Sequence, residues 1–142
     1  MVAKDCARMY RANSVLTASP GQLVLMLYDG ALRAMALARS ALARAPEDWS
    51  RIEEANRQLL KAQRIFVELQ ATLNMEAGDG KFSEEMNRLY QYYIRKLVEA
   101  NMRKAVEPIV EVEQLFGQVR EAWAEMLRKK DPAYAKSSQS AA

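Results

Sequence analysis

The sequence contains no histidine. Histidine is the usual general base near neutral pH, the partner of serine and cysteine nucleophiles and the commonest metal ligand, so much of enzyme chemistry is closed to this chain. A di-iron carboxylate bundle, which needs a Glu-x-x-His pair on each of two helices, cannot be built. Cysteine is nearly absent too. Cys6 stands alone, which excludes an intramolecular disulfide and fits a reducing compartment. Five glycines and four prolines in 142 residues leave little punctuation for a β-rich or loop-rich fold, and no phosphate-cradling glycine loop is present. No internal repeat is present either. The first residues, "MVAKDCARMYRANS", hold no apolar stretch of signal-peptide length, and nothing later approaches the roughly 20 apolar residues of a membrane span. The expectation is a cytoplasmic protein with no catalytic site, no cofactor, no bound metal and no membrane insertion.

What is abundant is helix-forming. Half the residues are hydrophobic, and Ala, Leu, Glu, Arg, Met and Gln dominate, the residues that lose least on entering a helix. The net charge of +3 is unevenly spread: residues 1–17 carry +2 and residues 128–142 carry +3, leaving −2 on the body between them. A mildly acidic body lacks the clustered basic face of a nucleic-acid binder, so no nucleic-acid partner is expected.

Helix ends are legible. In "ASPGQ", Ser19 can cap, Pro20 can take the first helical position and Gln22 completes a capping box. Helix one then reads Val24, Leu27, Ala31, Ala34, Ala38 and Leu42 as a core stripe and stops before Pro46. Helix two opens between Pro46 and Trp49 and places Ile52, Ala55, Leu59, Ala62, Phe66, Leu69 and Leu73 at steps of three and four. "AGDGKFS" ends it, with Gly78 available for a left-handed turn and Ser83 as the next cap. Helix three carries Met86, Tyr90, Tyr93, Leu97 and Ala100 inward. Pro108 belongs in the first turn of helix four, which continues through Ile109, Val112, Phe116, Val119, Trp123 and Met126 to "RKK". The pattern predicts an all-α, antiparallel up-down four-helix bundle over residues 19–130, with an N-terminal arm over 1–18 and a polar tail over 131–142.

The apolar content exceeds what one core stripe needs. Leu25, Tyr28, Leu32 and Met35 form a second stripe on helix one, and Leu89 with Tyr92 form a smaller surplus on helix three, continued by Arg95 and Glu99. Such residues either pack against two neighbouring helices or form a groove for another chain. The nearest local cover is the arm, through Met9, Tyr10, Val15 and Leu16. The adjacent pairs Glu53/Glu54 and Glu84/Glu85 fall on different parts of their helix surfaces and read as solvated.

Four segments, "YRANSVLTASPGQLVLMLYDGALRAM", "LLKAQRIFVELQATLN", "LYQYYIRKLVEAN" and "EVEQLFGQVREAW", resemble the FliS family of flagellar secretion chaperones in the family's own order, from Tyr10 to Trp123. The resemblance implies a bundle that binds the disordered C-terminal segment of flagellin, keeps it from polymerising before export, and is recognised when loaded by the cytoplasmic domain of the export-gate protein FlhA. It carries over Tyr10 in the arm, Tyr28 and Asp29 in "LYDG", and Tyr92, Arg95 and Asn101 in "LYQYYIRKLVEAN" as partner-binding positions, beside the surplus residues Leu25, Leu32 and Leu89. Asp29 either orients an adjacent backbone or serves the local conformation. Where family members often have Asp or Asn before helix four, this chain has Lys104 and Ala105, which leaves the start of that helix open. The alternative reading is a helical adaptor whose surplus apolar face is a homodimer interface.

Overall fold

A computed structural model describes residues 19–44 and 48–130. They form four helices: α1 (Pro20–Arg44), α2 (Trp49–Ala71), α3 (Lys81–Arg103) and α4 (Glu107–Lys130). Each helix packs against its neighbours in sequence, and α4 returns to lie against α1, which closes a four-sided antiparallel bundle. The most extensive contact is between α1 and α2. Small residues buried on both helices, Ala31, Ala34, Ala38 and Ala41 on one and Ala55 and Ala62 on the other, let two backbones approach closely there.

The middle of the core is built from one aromatic ring of each helix. Phe116 on α4 meets Tyr28 on α1 and Phe66 on α2 with ring centroids 4.9 Å apart in both cases, and Tyr93 on α3 at 5.5 Å, all in edge-to-face geometry. Edge-to-face pairing sets the positive ring edge on a negative face and adds to the gain from burial.

Local chemistry fixes the helix ends. The Ser19 amide donates to the Gln22 side chain at 2.9 Å and the Gln22 amide to the Ser19 hydroxyl at 3.2 Å, the reciprocal capping box expected from the sequence. Asp48 caps α2 by accepting from the Ser50 amide at 3.0 Å. The stripe of α3 lies inward as read, and Pro108 is the second residue of α4. The last turn of α4 carries Arg128, Lys129 and Lys130, where positive charge favours the helix end.

Three expectations are corrected. Gly78 does not end α2: that helix closes at Ala71 with Thr72 in right-handed geometry, its hydroxyl donating to the Leu69 carbonyl at 2.7 Å, and Gly78 sits in the loop beyond with φ 58°. Leu73 therefore lies past the helix. Ser83 does not cap α3 either. Gly80 does, at φ 77°, while the buried Ser83 hydroxyl donates to the Asn74 carbonyl at 2.7 Å and pins the α2–α3 loop to the helix it leads into. The start of α4 is settled at Glu107, because Lys104 takes the left-handed conformation (φ 54°) that ends α3.

The third correction concerns which stripe of α1 faces inward. Leu25, Tyr28 and Met35 are buried, whereas Val24, Leu27, Leu32 and Leu42 are only partly so. The cause is that α1 is flanked by α2 on one side and α4 on the other, so its interior face is wide and takes in most of the supposed surplus. Leu25 packs with Ala124 and Leu127 of α4. At the same end, the Trp123 indole N–H donates to the Gly21 carbonyl at 2.9 Å, joining the end of the bundle to its beginning.

Candidate functional site

The first turns of α1, the α2–α3 loop, the first turns of α3 and Trp123 of α4 surround a cavity of about 440 Å³. Helix α1 contributes Pro20, Leu23, Val24, Leu27 and Tyr28, the loop Thr72, Leu73, Asn74 and Ala77, and α3 Phe82, Ser83, Met86 and Tyr90. None of these side chains is charged. Phe82 is 67% exposed and Leu23 36%, so large apolar groups stand at the rim in water. An isolated exposed leucine is ordinary, but apolar residues that border an uncharged cavity form a contiguous surface suited to burying a partner's apolar side chains.

The polar groups in the wall are largely committed to the protein. Ser83 serves Asn74, Thr72 serves Leu69 and Trp123 serves Gly21. Tyr28 and Tyr90 hydrogen-bond to one another at 2.8 Å. Burial raises the pKa of both, and the mutual bond partly opposes that rise at Tyr28 and adds to it at Tyr90.

The structure distributes the residues singled out in the sequence. Tyr28 alone among them borders the cavity; Leu25 is interior, and Leu32 and Leu89 are half-buried against the core. Asp29 is bound by Arg120 of α4, at 2.8 Å and 3.3 Å. Tyr92 donates to Glu111 of α4, and its ring is flanked by the Arg95 guanidinium and the Lys96 ammonium, each 5.8 Å from the centroid. Asn101 donates to Asn56 of α2 at 2.7 Å and accepts from Lys104 at 2.6 Å. The polar motif positions Asp29, Tyr92 and Asn101 thus tie neighbouring helices together. Tyr10 lies outside the described residues.

Of the cavity residues, sequence reading assigned Val24, Leu27, Leu73, Met86, Tyr90 and Trp123 to the core and passed over Leu23 and Phe82. Phe82 carried a usable signal: a large apolar residue at a helix start, just after a glycine-rich loop and off the inward stripe of Met86, Tyr90 and Tyr93. A second, shallower groove of about 430 Å³ runs between α2 and α3, with Leu60, Val67 and Ile94 along it and Arg64 and Glu68 at its side.

Among the described residues no group of three or more potential ligands could hold a metal ion, and no helix is long and apolar enough to cross a membrane. Four helices around an aromatic core, with an uncharged apolar cavity at one end, define a helical-bundle binding module. Comparison with known proteins places it more narrowly: the chain matches the family described as "Flagellar protein FliS" over residues 2–130, and it belongs to that family. It is 38% identical over 119 residues to the flagellar secretion chaperone FliS of Bacillus subtilis, covering 84% of each chain. It is 35% identical over 127 residues to that of Salmonella typhimurium, covering 89% of this chain and 90% of the relative. A crystal structure titled as a flagellar chaperone from bacteria superposes with a TM-score of 0.69 at 16% identity, over 89% of this chain and 98% of that one, which supports the fold. The family is one of chaperones, not of enzymes, and this chain's role is that of a flagellar secretion chaperone.

Proposed function

We propose that this protein acts in the cytoplasm by binding the disordered C-terminal segment of flagellin on its apolar surfaces, which keeps flagellin from polymerising before export, and that the loaded complex is then delivered to the cytoplasmic domain of FlhA at the flagellar export gate. The observation that carries this reading is the uncharged cavity of about 440 Å³ with Phe82 and Leu23 exposed at its rim. Ordering a disordered segment costs several kcal/mol, so a chaperone for one needs ready-made apolar surface to offset it. Tyr10, Arg95 and the interhelical ties Asp29, Tyr92 and Asn101 would extend that contact from their motif positions.

Calorimetric titration with a peptide covering the C-terminal segment of the same cell's flagellin tests it. A one-to-one complex with a strongly negative heat-capacity change is expected. Absence of binding at tens of micromolar, with the protein folded, would overturn it.

The groove between α2 and α3 favours a second reading, a helical adaptor that pairs with its own copy. Arg64 and Glu68 lie one turn apart beside Leu60 and Val67, so two α2 helices crossing antiparallel would set each Arg64 against the other's Glu68. Sedimentation equilibrium decides: a dimer at micromolar concentration that Val67→Glu abolishes supports it, and a monomer throughout excludes it.

A further inference from the structure

The cavity that the proposed function assigns to a flagellin segment is mostly apolar: Thr72 and Asn74 stand at its exposed edge, and its buried part holds one polar feature with a proton to spare. Tyr28 and Tyr90 both border it, and their hydroxyls stand 2.8 Å apart across the bundle. Each phenol carries one proton, and their mutual bond uses only one of the two: one hydroxyl donates, while the other accepts and keeps its own proton. Neither hydroxyl has a further partner among the described residues. The other buried donors of the wall are spent, Ser83 on Asn74 and Trp123 on Gly21. The pair therefore holds a spare donor in the buried part of a mostly apolar wall.

A polypeptide seated in such a cavity has one unavoidable need. Its apolar side chains gain from burial, but its backbone carbonyls must find donors or be desolvated without return. An ionised side chain, in contrast, would meet no counter-charge there. We propose that the Tyr28–Tyr90 pair is the polar anchor of the cavity, its spare hydroxyl proton donated to a backbone carbonyl of an uncharged, apolar segment of the partner polypeptide. This rests on the cavity being the partner's seat, and it adds a selection rule: the seated segment carries no charged residue. Burial holds both phenols above their ordinary ionisation range, so the donor persists across physiological pH.

The test uses the full chain as wild type, Tyr28→Phe, Tyr90→Phe and the double variant. Either single variant leaves one hydroxyl with its proton, so the donor survives; the double variant removes it while keeping the rings. Three probes are titrated, with NMR shifts of the Leu23 and Leu27 methyl groups as readout: xenon, which needs only an apolar void; N-acetyl-leucine methylamide, which brings a backbone carbonyl; and the flagellin peptide. Xenon is expected to bind all four proteins alike, which also reports that the cavity is intact. The amide and the peptide are expected to bind the single variants within about twofold of wild type and the double variant about five- to tenfold more weakly, the worth of one neutral hydrogen bond.

Equal binding of the amide to wild type and double variant would overturn the anchor, as would no response of the wild-type methyl groups to either small probe. Tyrosine-dependent amide binding with no peptide binding would leave the anchor standing and remove the flagellin reading. Peptide binding indifferent to the double substitution would do the reverse. Contacts from the two tyrosine rings to residues 1–18 that persist at saturating amide would give the cavity to the chain's own beginning and overturn the assignment to a partner. Tyrosine-dependent self-association would give it to a second copy with the same consequence.

Discussion

Asp29 and Arg120 form a two-pronged bond across the seam between α1 and α4, with the guanidinium nitrogens 2.8 and 3.3 Å from the two carboxylate oxygens. Both side chains reach water, so the pair's contribution is that of a well-shaped surface ion pair. Asp29→Asn is expected to cost about 0.5–1 kcal/mol, and the cost should shrink in 1 M salt, where screening acts within about 3 Å. Thermal unfolding at two salt concentrations measures this. A loss of affinity for the flagellin peptide larger than the loss of stability would instead place Asp29 in the partner contact that its motif position suggests.

Two left-handed residues invite opposite substitutions. Lys104 holds φ 54°, where an L side chain is strained, and among the described residues its ammonium makes one exposed bond, to Asn101. Lys104→Gly is expected to stabilise the protein by about 0.5–1 kcal/mol, since the backbone conformation at this helix end suits glycine. Gly80 is already glycine for cause: at φ 77°, an added Cβ would stand 2.8 Å from the Met75 carbonyl oxygen, a backbone atom with little room to yield. Gly80→Ala should destabilise by about 1–3 kcal/mol and loosen the loop that walls the cavity. Urea unfolding of the two variants beside wild type checks both signs.

These positions also separate what the sequence could reveal from what it could not. The capping box of Ser19 and Gln22, the inward stripe of α3 and Pro108 in the first turn of α4 are local patterns, set by residues within a turn or two of one another. The facing of α1 is not local. Two apolar stripes were visible there, and which of them lies inside depends on where α4 returns, a fact spread over some ninety residues of chain. Ser83 failed as a cap because its hydroxyl finds Asn74, nine residues back, through a loop turn that Gly78 and Gly80 shape. The cavity was the least legible feature, since its wall is assembled from four separate stretches of chain, each contributing ordinary apolar residues. Asp29 and Asn101 stood out in sequence as motif residues, but only their partners Arg120 and Asn56 reveal them as interhelical ties.

The buried phenols make stability sensitive to alkali. Burial pushes the Tyr93 hydroxyl up to about 12 from 10.0, and Tyr28 and Tyr90 are also raised by burial. Above pH 10 the unfolded chain releases these protons and the folded one does not, so the unfolded state binds fewer protons and stability falls as pH rises. The contribution is complete below pH 10 and declines from there through pH 12; for Tyr93 alone it amounts to about 2–3 kcal/mol. Helix content and tyrosinate absorbance followed together from pH 9 to 12.5 should change in one cooperative step. Tyrosinate formation near pH 10 by all the tyrosines, with helix content intact, would contradict the burial of the central rings.

The sharpest separation of binding surface from core is between Phe82 and Tyr28, which border the same cavity from opposite standings. Phe82 is 67% exposed and lies outside the hydrophobic core, whereas Tyr28 is 2% exposed and packs edge-on against Phe116. Phe82→Ala is therefore expected to change stability by no more than about 0.5 kcal/mol, the range of ordinary surface substitutions, yet to weaken the flagellin peptide about tenfold by removing a large apolar rim contact. Tyr28→Ala should cost about 3–5 kcal/mol of stability, because a ring-sized void opens at the centre of the bundle. Unfolding curves and peptide titrations on the two variants separate these effects. Should Phe82→Ala leave peptide affinity unchanged while Leu23→Ala lowers it, the partner enters along α1, and the α3 side of the rim is idle in binding.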